Sequence, residues 1–185
     1  MSHSADDSGD RHTLLTCDRF SVERVGYEDR QAIRRWKDVI RHPGAVVILP
    51  VFADGRICLI RNRRVSVGET LIEVPAGTLD PEEPPLECSH REWREETGLS
   101  AGKMQSLGWF YVSPGIIDEK MFLFIATDLT SGPPELMPDE EIENHVISLG
   151  DAVGLVCQGE VHDAKTIIAI LRLAQRVGND ELRNA

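Results

Sequence analysis

At 185 residues and 41% hydrophobic content, the chain has material for one domain with a substantial core and too little for two. A formal net charge of −11 excludes a broad nucleic-acid surface, which needs a basic stripe against the phosphate backbone. No stretch approaches 18 apolar residues, none near the start has signal-peptide length, and Cys17, Cys58, Cys88 and Cys157 form no C-x-x-C pair; the expectation is a cytoplasmic protein with reduced thiols and no membrane contact.

Residues 1–12 are polar, rich in Ser, Asp and Gly, and are expected to be disordered. Residues 20–27 and 32–40 read as two strands around Glu28-Asp29-Arg30-Gln31, an N-terminal hairpin spanning 13–40. Its mixed faces suit either a peripheral ribbon or packing on a second subunit. Residues 45–52 are a continuous apolar run of strand length, and Asp54-Gly55 followed by 57–60 predicts a central hairpin. Arg61, Arg63 and Arg64 then concentrate positive charge at a strand end, as a solvated edge or as guanidinium forks for a diphosphate. Residues 71–76 form a short strand running into Gly77.

After Pro84 and Pro85 nothing interrupts a helix before Gly98, which predicts one over 86–97. At 3.6 residues per turn Glu92, Glu95 and Glu96 fall within a sector of roughly 100°. Like charges so spaced repel one another unless a cation sits among them. Oxygen donors without Cys or His favour Mg²⁺ or Mn²⁺ over zinc, and Mg²⁺ commonly arrives with substrate phosphates. The competing interpretation of such a run is a solvated helix face.

Residues 108–112 and 121–126 have strand composition, with Ser113-Pro114-Gly115 opening the loop between them. A Pro- and Gly-rich loop over 131–138 leads through Asp139-Glu140-Glu141-Ile142-Glu143 into a strand over 145–149. A short helix over 151–157 ends near Gly159, and a longer one over 163–176 buries Ile167, Ile168, Ile170, Leu171 and Leu173, with His162 either its cap or a residue near the site. The main domain is bounded at 41–178, and 179–185 is a fraying tail. Strands first, an acidic helix in the middle and a helix at the end suit a mixed sheet between helical layers.

Gly77, five residues, Glu83, seven residues, Arg91-Glu92, then Glu95-Glu96, Gly98 and Leu99 closely resemble the signature of the Nudix hydrolases. The seven positions from Gly77 to Gly98, at about 7% frequency each, match by chance on the order of 10⁻⁸ times per starting position. Trp93 departs from the bulky aliphatic residue usual at its position and lies on the side of the helix away from the carboxylates. The resemblance implies an α/β (α+β) Nudix fold, a mixed β-sheet sandwiched between α-helices with an N-terminal β-hairpin extension. Glu-x-Pro-Ala-Gly at 73–77 and Pro114, fifteen residues past Leu99, are similar to the ADP-ribose pyrophosphatase branch.

That likeness implies Mg²⁺-dependent (or Mn²⁺-dependent) hydrolysis of ADP-ribose to AMP and ribose 5-phosphate. Glu92, Glu96 and the Ala76 carbonyl would be metal ligands, Glu95 a ligand or a supporting carboxylate, Arg91 the residue orienting them, and Glu83 a loop support or further ligand. Glu141, or next to it Glu140, would be the base acting on water. Arg64 and Pro114 would lie at the substrate, although Asn62-Arg63-Arg64 replaces the usual Gln-Tyr-Arg. Trp36 matches the aromatic residue that stacks on adenine from an N-terminal segment, which in this branch builds a homodimer. GDP-mannose or another nucleotide sugar is the nearest rival substrate. A domain that senses nucleotide without turning it over is the rival from another class, and its mark, a missing box carboxylate, is not present.

Overall fold

The computed structural model describes residues 10–97, 99–131 and 142–184, with the side chains of 96, 97, 99, 100, 131, 142 and 180–184 outside the description. Three N-terminal strands, β1 (Arg11–Thr16), β2 (Ser21–Glu28) and β3 (Arg34–Arg41), form an antiparallel sheet in that order. Asp29 builds the β2–β3 turn, its Oδ1 accepting from the Gln31 and Ile33 amides at 2.9 and 3.0 Å. The sequence predicts two strands here and leaves Arg11 and His12 unstructured; both belong instead to β1. All six residues of β1 are exposed, so this strand carries no burial pattern to read. Backbone pairing to β2 holds it, continued by the Gly26 amide donating to the Asp10 carbonyl at 2.8 Å and by an Arg34–Asp10 ion pair.

β4 (Ala45–Pro50) is buried along its whole length. It lies centrally in a sheet ordered β7-β4-β9-β8, antiparallel to β7 (Ala76–Thr78) and parallel to β9 (Lys120–Ser131), with β8 (Leu99–Tyr111) at the edge. Period-2 alternation turns Val46 and Ile48 to one face, where they meet Phe124, Ala126, Cys88 and Trp93. Val47 and Leu49 turn to the other and pack with Leu123, Ile125, Ile57, Leu59 and Val74. Each such fully buried aliphatic side chain contributes about 1.5–3 kcal/mol. The expected central hairpin does not form as one ladder. β5 (Arg56–Arg64) meets β4's continuation only at a Val51–Ile57 bridge, then pairs with β10 (Ile142–Ser148) and β6 (Glu69–Glu73) in a second sheet, β10-β5-β6. Ile57 and Leu59 thereby face β4 across the core instead of lying beside it, and Pro50 lacks the N–H a shared ladder would need.

The strand expected over 71–76 is likewise split. β6 ends at Glu73, the chain crosses between sheets at Val74-Pro75, and β7 begins at Ala76. α1 (Pro85–Thr97) opens on Pro85, suited to a first helical position, and buries Trp93 at 0% exposure as expected. β8 extends well beyond the predicted 108–112 and carries a bulge between Ser106 and Trp109, where Gly108 has φ 88°. α2 (Leu149–Gln158) starts at the Ser148 cap and ends at Gly159 in the left-handed region. α3 (Ala164–Asn184) is capped by Asp163, not His162: Asp163 Oδ2 accepts from the Thr166 amide at 3.0 Å, while His162 is exposed. The α3 backbone stays helical to Asn184, past the tail expected to fray from 178. α2 and α3 cover the face of the core opposite α1 through Ala152, Ala169, Ile170 and Leu173. Among the described residues no helix is long and apolar enough to cross a membrane.

Candidate active site

β7 delivers Ala76 and Gly77 onto α1. A Cβ at residue 77 would overlap Cγ, Cδ and Oε2 of Glu92, so glycine there is a packing requirement of the carboxylate. The following loop closes on itself, with the Glu83 amide donating to the Asp80 carbonyl at 3.1 Å and the Asp80 amide donating to Glu83 Oε2 at 3.0 Å.

Arg91 is the centre of this loop and helix. Its Nε and Nη2 donate to the two Glu83 oxygens at 2.9 and 2.8 Å, and Nη1 donates to Glu92 Oε1 at 2.7 Å and to Glu95 Oε2 at 3.3 Å. Nη2 also reaches the Thr78 carbonyl at 3.3 Å. The forked contact on Glu83 is the strong, charge-assisted kind. It holds the Glu83 carboxyl down at about 2, against the opposing effect of burial. The same hydrogen bonds donated to Glu83, followed by the charge of Glu92, raise the Arg91 pKa. Burial, then Glu83, push the Cys88 thiol up, so it stays protonated and its Sγ donates to the Thr78 carbonyl at 3.6 Å.

The cation required by the clustered carboxylates is therefore partly internal. Arg91 against Glu83, Glu92 and Glu95 still leaves this group of four side chains at a net −2. Among the described residues no group of three or more His, Cys, Asp or Glu is assembled as a metal cluster. The donor chemistry nevertheless fits a hard divalent cation. Glu92 is pressed against the Gly77 backbone, Glu95 lies one turn on, and both offer oxygen only. Glu96 is in the helix, but its side chain, like Glu140 and Glu141, lies outside the described residues.

The remaining expected site residues make other contacts. Arg64 donates through Nε and Nη2 to both oxygens of Glu73 at 2.8 and 2.6 Å, and Glu73 is 1% exposed. Sequence reasoning did not anticipate this pair, nor Lys165, whose Nζ also reaches Glu73 Oε2 at 2.6 Å. The available signal was a glutamate within the otherwise apolar run 71–76. Pro114 is exposed in a turn where the Ser113 carbonyl accepts from the Ile116 and Ile117 amides at 3.0 Å. That turn docks on the end of β3: the Ile40 amide donates to the Ile116 carbonyl at 2.9 Å, and Asp118 takes Arg41 and the His42 amide at 2.9 Å each. Trp36 is half exposed on β3 opposite Gly26. Its ring neighbours, His12 at 5.5 Å and the Arg34 guanidinium at 5.3 Å, both belong to the N-terminal sheet, so the chain does not bring Trp36 to α1 by these contacts.

A NUDIX domain family model matches residues 41–169. An ADP-ribose pyrophosphatase of Bacillus subtilis (strain 168) is 39% identical over 151 residues, 80% of each chain. A GDP-mannose pyrophosphatase of Escherichia coli O1:K1 is 30% identical over 171 residues, 85% of this chain and 89% of that one. The solved structure of an ADP compounds hydrolase superposes with a TM-score of 0.77 at 24% identity, covering 92% of both chains.

Proposed function

Since this chain belongs to the Nudix family and has its fold, we propose that it is a pyrophosphohydrolase cleaving the diphosphate of a nucleoside diphosphate sugar, with ADP-ribose the preferred substrate and AMP and ribose 5-phosphate the products. The observation that carries this is the Arg91 fork gathering Glu83, Glu92 and Glu95 beside Gly77. Glu92, Glu95, Glu96 and the Ala76 carbonyl would hold Mg²⁺ or Mn²⁺. A divalent cation bound there supplies positive charge against the diphosphate and Lewis acidity at its oxygens.

Arg91 holds Glu92 and Glu95 through Nη1 beside the Gly77 loop, and Glu83 fixes Arg91 from the opposite side. Glu141, with Glu140 as its neighbour, takes the proton from the attacking water as its oxygen joins phosphorus and the bridging P–O bond breaks. Arg64, anchored on Glu73, presents guanidinium at the strand end beside the substrate, and Pro114 shapes the loop over the terminal sugar. Trp36 stacks on the base from the N-terminal sheet of a second copy. Leu14, Leu15, Tyr27, Ile33 and Trp36, all between 45 and 52% exposed, support a homodimer that covers this sheet. Cys58 and Cys88, free and buried, fit a cytoplasmic protein.

GDP-mannose is the second reading, supported by the 30% identical relatives that carry that name. A panel of nucleotide sugars assayed for Mg²⁺-dependent release of nucleoside monophosphate separates them. A higher kcat/KM on ADP-ribose than on GDP-mannose is expected; the reverse order moves the substrate, and binding without turnover of any member would make the domain a sensor.

A further inference from the structure

The Val74-Pro75 crossing between sheets leaves backbone groups outside both ladders. Buried backbone groups need partners. Pro75 has no N–H, and its carbonyl accepts from the Ile48 amide at 2.9 Å. The Val74 amide, at a residue 0% exposed, donates to Thr166 Oγ1 on the first turn of α3 at 2.8 Å. That hydroxyl donates in turn to Asp163 Oδ2 at 2.5 Å. One residue earlier, Lys165 Nζ bonds Glu73 Oε2 at 2.6 Å and Asp163 Oδ1 at 2.9 Å. Glu73, Lys165 and Thr166 are 1, 7 and 0% exposed, so a buried polar set joins α3 to the two residues that begin the crossing. Surface-type charges are almost never buried in this way unless paired.

We propose that Lys165 and Thr166 are positioning residues for the metal loop: the first turn of α3 clamps Glu73 and Val74, and so fixes where Ala76 and Gly77 meet Glu92. The inference rests on the proposed divalent-metal chemistry of that loop. Only two residues separate the clamped Val74 amide from the Gly77 backbone, which lies so close to Glu92 that a Cβ on residue 77 would overlap its carboxyl group. A helix distant in sequence thereby sets the geometry of an oxygen cage to which it contributes no ligand. Removing a partner that orients a metal ligand typically lowers metal affinity 10–100-fold.

Thr166→Val keeps the shape and removes the hydroxyl; Lys165→Met keeps the length and removes the charge. Mn²⁺ binding to the nucleotide-free protein, followed by calorimetric titration, should weaken about 10-fold in each, with turnover largely recovered at saturating metal. A lower melting temperature with unaltered Mn²⁺ affinity would reduce the clamp to a stability element and overturn the proposal. Should either variant fail to fold, hydrogen exchange on the wild-type protein decides. By linkage, Mn²⁺ must protect 164–168 together with 73–78 if the two are coupled. Protection confined to 73–78 overturns the clamp. Wild-type protein that binds no Mn²⁺ overturns the proposed chemistry and the clamp with it, a result distinct from normal binding in both variants.

Discussion

Gly77→Ala isolates the contact on which the site geometry depends. Gly77 is not among the glycines with positive φ, so its backbone accepts alanine, and in a strand the exchange alone should stabilise by about 0.5–1 kcal/mol. The new methyl overlaps three atoms of the Glu92 side chain, which must leave its rotamer at a cost of about 0.5–1.5 kcal/mol. It also gives up the 2.7 Å charged hydrogen bond from Arg91, worth about 1.5–3 kcal/mol. The net expectation is a loss of about 1–4 kcal/mol, measured by urea unfolding in EDTA. In a Glu92→Ala background the obstruction is gone, and Gly77→Ala should become neutral or stabilising by the same ~0.5–1 kcal/mol. Hydrolysis by the single variant should fall at least ~10²-fold, as expected when a reacting group is misplaced by about 1 Å. Equal destabilisation in both backgrounds would refute the argument, because the cost would then lie in the loop and not in Glu92.

The other predictions concern charge, proton transfer and base recognition. Because Arg91 lowers the Glu83 carboxyl from 4.5 to about 2, its stabilisation is present above pH 4.5 and is lost as pH falls from there through about 2. A displacement of that size is worth at most about 3 kcal/mol, and sharing of Arg91 with Glu92 and Glu95 brings it nearer ~1–2. Metal-free Glu83→Gln should therefore be less stable than wild type at pH 7 and differ by less than half as much at pH 3; a gap independent of pH contradicts this. Glu92→Gln and Glu96→Gln should lose turnover that added Mg²⁺ partly restores, whereas Glu141→Gln should lose about 10²–10⁴-fold in kcat and respond to raised pH but not to Mg²⁺. A kcat near wild type in Glu141→Gln with a large loss in Glu140→Gln moves the base by one residue. Trp36→Ala should weaken substrate binding by about 1–3 kcal/mol, judged by base stacking on aromatic side chains elsewhere. An unchanged KM with a lower melting temperature would assign Trp36 to packing instead.

Much of this protein was determined by residues close together in the chain. The helix over Pro85–Thr97 follows from its prolines, its uninterrupted run and the 3.6-residue spacing of its glutamates, all local properties. The seven-position signature spans a single loop and helix, so the family and the carboxylate face could be read before any tertiary contact was known. β4 announced itself by an unbroken apolar run, because a strand covered on both faces needs no alternation. What the sequence left open depends on partners far along the chain. β1 is held by backbone hydrogen bonds without burial, and such bonds carry no residue pattern. β4 and β5 look like a hairpin by spacing, yet part into two sheets because their side chains gain more by facing each other across the core than by sharing an edge. A local cluster of arginines leaves Arg64 open between a solvated edge and a substrate fork, and its buried partner Glu73, also engaged by Lys165 92 residues beyond that carboxylate, emerges only in the folded chain. Chain neighbours decide helices, strands and motif spacing, but a buried charge is settled only when folding brings its counter-charge to it in a medium that will not tolerate either alone.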